Sequence, residues 1–243
     1  RTAIVAKKLA ESLGLNKEDV ELAELIGLLH DIGRFEQIKR YHTMVDRDSI
    51  NHGEFGVHIL FNENLIYDFI DDRQYDSIIK VAILNHNRNK IEEGLTKREL
   101  LHSKIIRDSD KTDIFYILTF GDNKAIYGSD DISDQKITDE IYREFVEDKS
   151  IQYKYRETGA DILVSHFAYI YDFNYKYGLK VINENDYLEK LYERYNFSDP
   201  GTDERYQNIY KIARQYLDMQ LAGGNNDKFR RSKERVSKVC KSI

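Results

Sequence analysis

Apolar side chains recur along this chain with the spacing of helices. Leu22, Leu25, Ile26 and Leu29 stand at positions i, i+3, i+4 and i+7, which form one buried helical face. Alternation with a period of two is scarce, and a single proline leaves room for long uninterrupted helices. The pattern therefore predicts an all-α fold.

The first part of the chain is predicted to hold amphipathic helices with clear end signals. Gly14 stands where the first helix ends, and Asn16 is placed to cap the second helix, which runs to about Asp31. We predict a loop over residues 35–50, which are rich in Arg, Asp and Tyr. The next helix is expected to begin at His52.

Further along, a second apolar stripe leads to His86, and residues 88–97 are predicted to be a connection. A long helix over residues 101–118 then carries Asp108 and Asp110 in its middle. Aspartate is a poor helix former, and a desolvated carboxylate needs a partner. Such local conflicts concentrate at functional sites.

A polar loop over residues 121–133 is the predicted domain boundary. It divides the chain into a core domain, residues 1–120, and a helical extension, residues 121–243, which we expect to pack together as one globular unit. In the extension we predict helices over residues 137–147, 158–175, 183–195, 203–221 and 227–240.

Composition narrows the classes of function. The 243 residues include 37 basic and 43 acidic side chains, and the net charge of −6 argues against a protein that coats nucleic acid. Cys240 is the only cysteine, which suits a reducing cytoplasm, and no apolar run approaches the ~20 residues that span a bilayer. No signal peptide is visible, and because the chain starts at Arg1 without an initiator methionine we expect a trimmed start. We therefore expect a cytoplasmic protein that binds neither nucleic acid nor membranes, and a homo-oligomer stays open.

A histidine and an aspartate stand side by side where the second predicted helix ends. His30 and Asp31 follow a strongly apolar segment, where a polar side chain needs a hydrogen-bond partner or a metal. His52, His86 and Asp110 follow later in the chain, and imidazole and carboxylate are both good ligands for divalent metals. Taken singly, each of them suits a helix-capping or salt-bridging role equally well. Together they predict a metal site.

The order His-Asp, His, His, Asp on helices resembles the HD-domain superfamily of metal-dependent phosphohydrolases. More narrowly, the run His-Asp-Ile-Gly-Arg-Phe-Glu-Gln at residues 30–37 is similar to the signature of a bacterial group of predicted HD hydrolases. Residues 49–53, 106–111 and 165–172 also fit that group, and the resemblance is thinner beyond about residue 120. It implies an HD-domain helical bundle that holds metal between its helices, followed by a helical C-terminal extension.

The resemblance also implies roles for individual residues. His30, Asp31 and Asp110 match the core metal ligands, and we assign a catalytic role to Asp31 as well. His52 and His86 match the additional histidines of members that hold two metals, where the aspartate of the His-Asp pair bridges. The implied cofactor is one or two divalent ions among Mn, Fe, Co, Ni, Zn and Mg. The family pattern also begins with a histidine on the first helix, a position that falls before the first numbered residue of this chain.

Two cations near these ligands are candidates for binding the substrate phosphate. Arg34 follows one turn after the histidine of the pair, where a planar guanidinium can clamp a phosphate with two hydrogen bonds. Lys111 follows directly after Asp110. The alternative for the arginine is an ion pair with a loop carboxylate such as Glu36, Asp46 or Asp48.

We therefore expect a metal-dependent phosphohydrolase whose substrate is a phosphate ester, a nucleotide or another small phosphorylated metabolite. The alternatives are a phosphodiesterase for a cyclic or dinucleotide, and a weakly catalytic module that binds a nucleotide as a sensor. His166 lies in an aromatic run that suits a hydrogen-bonded core histidine, and the basic segment 228–235 suits a solvated helix face. Helix-surface or salt-bridging positions are expected for Asp108 and Asp113, and loop or surface positions for His42, His58 and His102.

Overall fold

The structure of this protein is a computed structural model that describes residues 1–147, 151 and 153–223. Within these ranges the regular secondary structure is helical throughout, so the predicted all-α class is confirmed. None of the helices in the described part is both long and apolar enough to cross a bilayer. The helix and basic segment that we predicted near the C-terminus lie outside the described residues.

The chain forms two compact units, Arg1–Asp113 and Ile114–Ile243. Whether residues 1–120 and 121–243 fold as the predicted domains stays a prediction. The helices that begin in this unit are α1 (Thr2–Ser12), α2 (Lys17–Leu29), α3 (Ile32–Tyr41), α4 (His52–Phe61), α5 (Asp76–His86) and α6 (Lys97–Phe120).

The end signals between α1 and α2 are confirmed. Gly14 has a φ of +69°, in the left-handed region that favours glycine after a helix. The side-chain oxygen of Asn16 accepts a 2.8 Å hydrogen bond from the backbone N–H of Asp19. These local contacts fix where α2 begins, and therefore where its last residues enter the core.

The predicted loop over residues 35–50 is wrong in its first part, where the chain forms α3. The buried residues of α3 are Gly33 and Gln37, whereas Phe35 and Ile38 are exposed. A helix that is predicted from apolar periodicity has its apolar residues buried and its polar residues exposed. This segment has the opposite arrangement, so the pattern does not predict a helix here. The loop proper follows α3 and contains a 3₁₀ turn at Asp46–Asp48.

The backbones of α3 and α4 are in contact at two glycines, Gly33 and Gly56. A Cβ atom built on Gly33 would lie 2.7 Å from the backbone nitrogen of Gly56 and would overlap the carbonyl oxygen of His52. Glycine is needed here because no side chain fits between the two helices. The aliphatic cluster of this unit consists of Leu22, Ile26, Leu29, Leu60, Ile66, Ile78, Ile79, Ala82, Ile83 and Ile106.

The second unit packs short helices around aromatic side chains. Phe115, Phe145, Phe167 and Tyr206 are fully buried in its core together with many aliphatic residues. The helices that begin in this unit are α7 (Asn123–Tyr127), α8 (Asp139–Val146), α9 (Gly159–Phe167), α10 (Lys176–Glu184), α11 (Tyr187–Glu193) and α12 (Pro200–Leu221).

Two predictions for this second unit are wrong in detail. The single helix predicted over residues 158–175 is α9 followed by a 3₁₀ turn at Ala168–Asp172, and α10 is a separate helix that the apolar pattern did not identify. The predicted loop over residues 121–133 contains the short helix α7. The stretch between α9 and α10 contains neither glycine nor proline, so its sequence carries no break signal.

Candidate metal centre

Helix ends bring the predicted ligands together in the first unit. His30 and Asp31 occupy the junction of α2 and α3, His52 is the first residue of α4, and His86 is the last residue of α5. Asp110 differs from them because it lies within α6. Side chains that are far apart in sequence therefore converge, because the helices that carry them are packed on one aliphatic core.

The tightest group consists of Asp31, His52 and His86, whose ligand atoms all lie within 4.8 Å of one another. Oδ1 of Asp31 is 3.2 Å from Nε2 of His52 and 3.6 Å from Nε2 of His86. The two Nε2 atoms are 2.9 Å apart. Three donors at this spacing surround a volume that suits a single cation.

The second carboxylate oxygen of Asp31 faces the other way. Its Oδ2 atom lies 3.6 Å from Nε2 of His30, which in turn is 3.5 Å from Oδ1 of Asp110. One carboxylate thus has one oxygen toward each of two groups of donors. This is the arrangement that a bridging ligand needs.

All three imidazoles are oriented through their Nδ1 atoms. Nδ1 of His30 donates to the carbonyl oxygen of Gly27 at 2.9 Å, and Nδ1 of His86 donates to that of Ile83 at 2.6 Å. Nδ1 of His52 donates to a carboxylate oxygen of Asp46 at 2.7 Å. Because these acceptors hold the proton on Nδ1, each neutral ring presents the lone pair of Nε2 to the centre of the cluster, as in metal-binding histidines. Lone pairs that face each other at 2.9 Å need a proton or a cation between them, so this donor set fits a metal ion.

The charges of the cluster favour a cation. Burial lowers the pKa of His30, but the hydrogen bond and negative charge of Asp110 outweigh burial and raise it to about 9. Burial raises the pKa of Asp31, yet contacts with His86 and His30 hold it well below its usual range. Burial likewise lowers the pKa of His52. The carboxylates are therefore ionised and require positive charge beside them, either on His30 or from a bound cation.

Asp46 is a functional candidate that sequence reasoning considered only as a partner for Arg34. It lies in the 3₁₀ turn after α3 and accepts hydrogen bonds from His52 and from Nε2 of Gln37, the latter at 3.0 Å. Although burial opposes them, these two hydrogen bonds lower the pKa of Asp46 to about 2. The same Gln37 amide donates to Ser49 and to the carbonyl oxygen of Ile50. The loop is thereby fixed to α3, and Asp46 is held where it orients His52.

Arg34 forms the ion pair that the sequence left open as an alternative. Its Nη1 atom lies 3.1 Å from Oδ1 of Asp46 and donates to the carbonyl oxygen of Met44 at 2.6 Å. Its Nε atom is 3.6 Å from Oδ1 of Asp31. The guanidinium therefore stands beside the ligand group and is braced by the loop. Lys111, the other predicted cation, is buried on α6.

The remaining polar candidates divide into confirmed and wrong predictions. His42 and His58 are exposed, and Asp113 pairs with Arg1, as predicted. His102 was predicted in a loop or at the surface, but it is buried on α6, where its Nε2 lies 3.0 Å from Oδ1 of Asp19. Asp108 is also buried on α6, so of its two predicted roles the position at the helix surface is wrong. In the second unit, His166 lies against Tyr127 and Tyr169, and its buried Nδ1 has no hydrogen-bond partner among the described residues. The hydrogen bond that we associated with His166 is absent at that atom.

Comparison with known proteins gives a family match over the part of the chain that carries these residues. Residues 1–114 match the family model described as HD domain. No curated protein and no solved structure matches the chain. The match covers all five predicted metal ligands, which are His30, Asp31, His52, His86 and Asp110 and are called the metal-ligand cluster below.

Proposed function

We propose, from the premise that residues 1–114 belong to the HD-domain family, that this protein hydrolyses a small phosphate ester with the help of a divalent metal. The family is one of metal-dependent phosphohydrolases. The observation that carries the proposal is the orientation of three imidazoles by their Nδ1 atoms, which leaves three Nε2 atoms facing ionised carboxylates.

The donors divide into two sets that share Asp31. His52 and His86 with Oδ1 of Asp31 would hold one ion, and His30 and Asp110 with Oδ2 of Asp31 would hold a second. Because the donors are rich in imidazole, Mn, Fe, Co, Ni or Zn would suit them better than Mg, which prefers oxygen ligands.

The chain's own side chains supply the rest of the chemistry. A bound divalent ion would supply Lewis acidity toward water and phosphoryl oxygens. Asp31 is the most exposed of the five predicted ligands and is the carboxylate best placed to accept a hydrogen bond from an entering water. The guanidinium of Arg34 next to it can donate to a phosphate oxygen and offset its charge. Lys111, which follows Asp110 in the sequence of α6, would be the second cation for the phosphate.

The test is metal analysis combined with hydrolysis, on the parent protein and on Asp31→Ala. We expect the parent to hold about two divalent ions per chain and to hydrolyse a nucleoside monophosphate. The variant should lose metal, and its kcat should fall by about 10⁴-fold, the scale of removing a central catalytic group. Equal metal content in both proteins would refute the assignment of Asp31.

The same experiment separates the alternatives. A cyclic dinucleotide as a second substrate distinguishes a phosphodiesterase, because only that enzyme would cleave the diester faster than the monoester. A weakly catalytic sensor would bind metal and nucleotide yet release no phosphate. Either result would contradict the proposed monoester hydrolysis while leaving the metal site in place.

A further inference from the structure

The signature segment contains an exposed aromatic side chain that the proposed chemistry does not use. Phe35 is 75% exposed, the largest exposed fraction of any large apolar residue in the described part of the chain. It follows Arg34 directly and lies four residues after Asp31, on α3. A single exposed apolar side chain is ordinary, so its position relative to the metal ligands decides its meaning.

The group of predicted metal ligands is accessible to solvent mainly through Asp31. The side chains of the three imidazoles are only 2–8% exposed, whereas that of Asp31 is 44% exposed. Access to the cluster therefore lies on the side of Asp31. Phe35 is in the first turns of α3, whose N-cap is Asp31, and it directly follows Arg34, whose Nε atom lies 3.6 Å from Oδ1 of Asp31.

The apolar surface continues away from the opening. Ile38, three residues beyond Phe35, is also exposed, and Met44 is exposed while its carbonyl oxygen is held by Arg34. A ligand whose phosphate lies between Arg34 and the metal ligands would thus extend its organic part over apolar surface. This surface suits an ester whose phosphate lies near Arg34 and whose organic part lies on the apolar side chains.

We infer that Phe35 is a platform on which a planar organic group of the phosphate ester stacks, so that this residue determines specificity. The inference rests on the proposed function, since it takes the phosphate to be bound at the metal ligands. A phenyl ring offers no hydrogen-bond donor or acceptor, so it recognises a flat face and not a pattern of heteroatoms. The platform should therefore favour nucleotides over sugar phosphates and treat different bases alike.

Two matched probes test the platform by activity. Adenosine 5′-monophosphate and ribose 5-phosphate present the same ester to the enzyme and differ in the base. We expect the metal-loaded parent protein to prefer the nucleotide, and Phe35→Ala to lower the ratio of the two kcat/KM values by about tenfold, within the range measured for base–aromatic stacking. Cytidine 5′-monophosphate should lose as much as the adenine nucleotide. Ile4→Ala, which removes an exposed side chain on α1, should keep the ratio of the parent.

A binding measurement tests the same contact without catalysis. The chain contains no tryptophan, so Phe35→Trp creates a single fluorophore at the platform. Its emission should change on addition of adenosine 5′-monophosphate and stay constant with ribose 5-phosphate, while Ile4→Trp responds to neither.

Several results would overturn the inference. One is a ratio that does not change in Phe35→Ala, and another is an equal response of Phe35→Trp to both probes. A third is a parent protein that is dimeric and a Phe35→Ala variant that is monomeric with an unchanged ratio of the two kcat/KM values. The ring would then pack against a second copy of the chain and not against the substrate. If the metal-loaded parent hydrolyses neither probe, the proposed function fails for these esters, and the fluorescence titration still decides about the platform.

Discussion

The two compact units differ in what they bury. The second unit encloses aromatic rings such as Phe115, Phe167 and Tyr206 in a continuous apolar core. The first unit has an aliphatic cluster beside which three imidazoles and their carboxylate partners are held. Apolar contacts stabilise the second unit without a bound ligand, whereas part of the first unit is a cluster of ionised groups that a cation would complete. The stability of the second unit should therefore depend on packing alone, whereas that of the first unit should also depend on a bound cation.

The largest effect on stability should come from the aromatic core of the second unit. Phe167 is fully buried against Tyr206, so Phe167→Ala should lower the free energy of unfolding by about 3–5 kcal/mol. Denaturant titration of the parent and the variant measures this change. Metal affinity of the folded variant should equal that of the parent, and a weakened affinity would break the distinction between the two units.

A smaller effect should come from the carboxylate that orients His52. In Asp46→Asn the imidazole loses its charged acceptor, so metal affinity should fall by about 10–100-fold, the usual result of removing a partner of a metal-binding histidine. Competition with a chelator of known affinity measures the change. Asp48→Asn in the same turn is the matched control, since its side chain is more exposed and pairs with Arg47. Equal losses in both variants would mean that loop charge in general, and not the contact with His52, affects the metal.

Arg34 links the two parts of the first unit, since it contacts the loop through Met44 and Asp46 and a predicted metal ligand through Asp31. We expect Arg34→Ala to keep its metal and to lose about tenfold in kcat/KM, the scale of one hydrogen bond to a charged group. Arg34→Lys should restore part of the activity, since an ammonium keeps the charge without the planar fork. If Arg34→Ala instead loses metal while kcat per bound metal is retained, the arginine only braces the loop.

The smallest effect concerns the buried pair of Asp19 and His102 in the first unit. Burial, partly offset by Asp19, holds the pKa of His102 below its ordinary value of 6.5. A group whose pKa is lowered by folding stabilises the fold above its unfolded pKa, and this contribution is lost as the pH falls through the folded value. The free energy of unfolding should thus decrease on acidification below about pH 6.5.

The matched variant for this pair is His102→Gln, whose amide can still donate to Asp19. Measured with a chelator present, the variant should keep most of the parent's stability at pH 7.5, because the hydrogen bond to Asp19 is retained. Its stability should then fall less steeply than that of the parent between pH 7 and pH 5. An identical pH dependence in both proteins would place the acid sensitivity elsewhere.

Features that depend on near neighbours in sequence were predictable. Gly14 and Asn16 act within one helical turn, and the apolar stripes of α2 and α5 determine which face is buried. The sequence also places His30 and Asp31 at the end of the second helix, as the structure does, although the helix that follows was not predicted. The roles of the ligands stay predictions, because proximity alone does not demonstrate a bound metal.

Features that depend on distant partners were not predictable. His102 looked like a surface residue because its partner, Asp19, lies on another helix. Asp46 has no local signal at all, since its meaning comes from His52 and from the anchoring amide of Gln37. The helix α3 escaped detection for a related reason, because its apolar residues face outward. In each case a polar residue gains its role through tertiary contact.

The backbone contact at Gly33 also limits how this site can evolve. Any replacement adds at least one carbon where the carbonyl oxygen of His52 and the nitrogen of Gly56 already stand. The gap between the helix that starts after Asp31 and the helix that starts at His52 is therefore at its minimum and cannot be adjusted in small steps. A lineage that changes its preferred ion would have to keep this gap and exchange donor atoms around it. Gly33 therefore sets the distance between the helix that follows Asp31 and the helix that begins with His52.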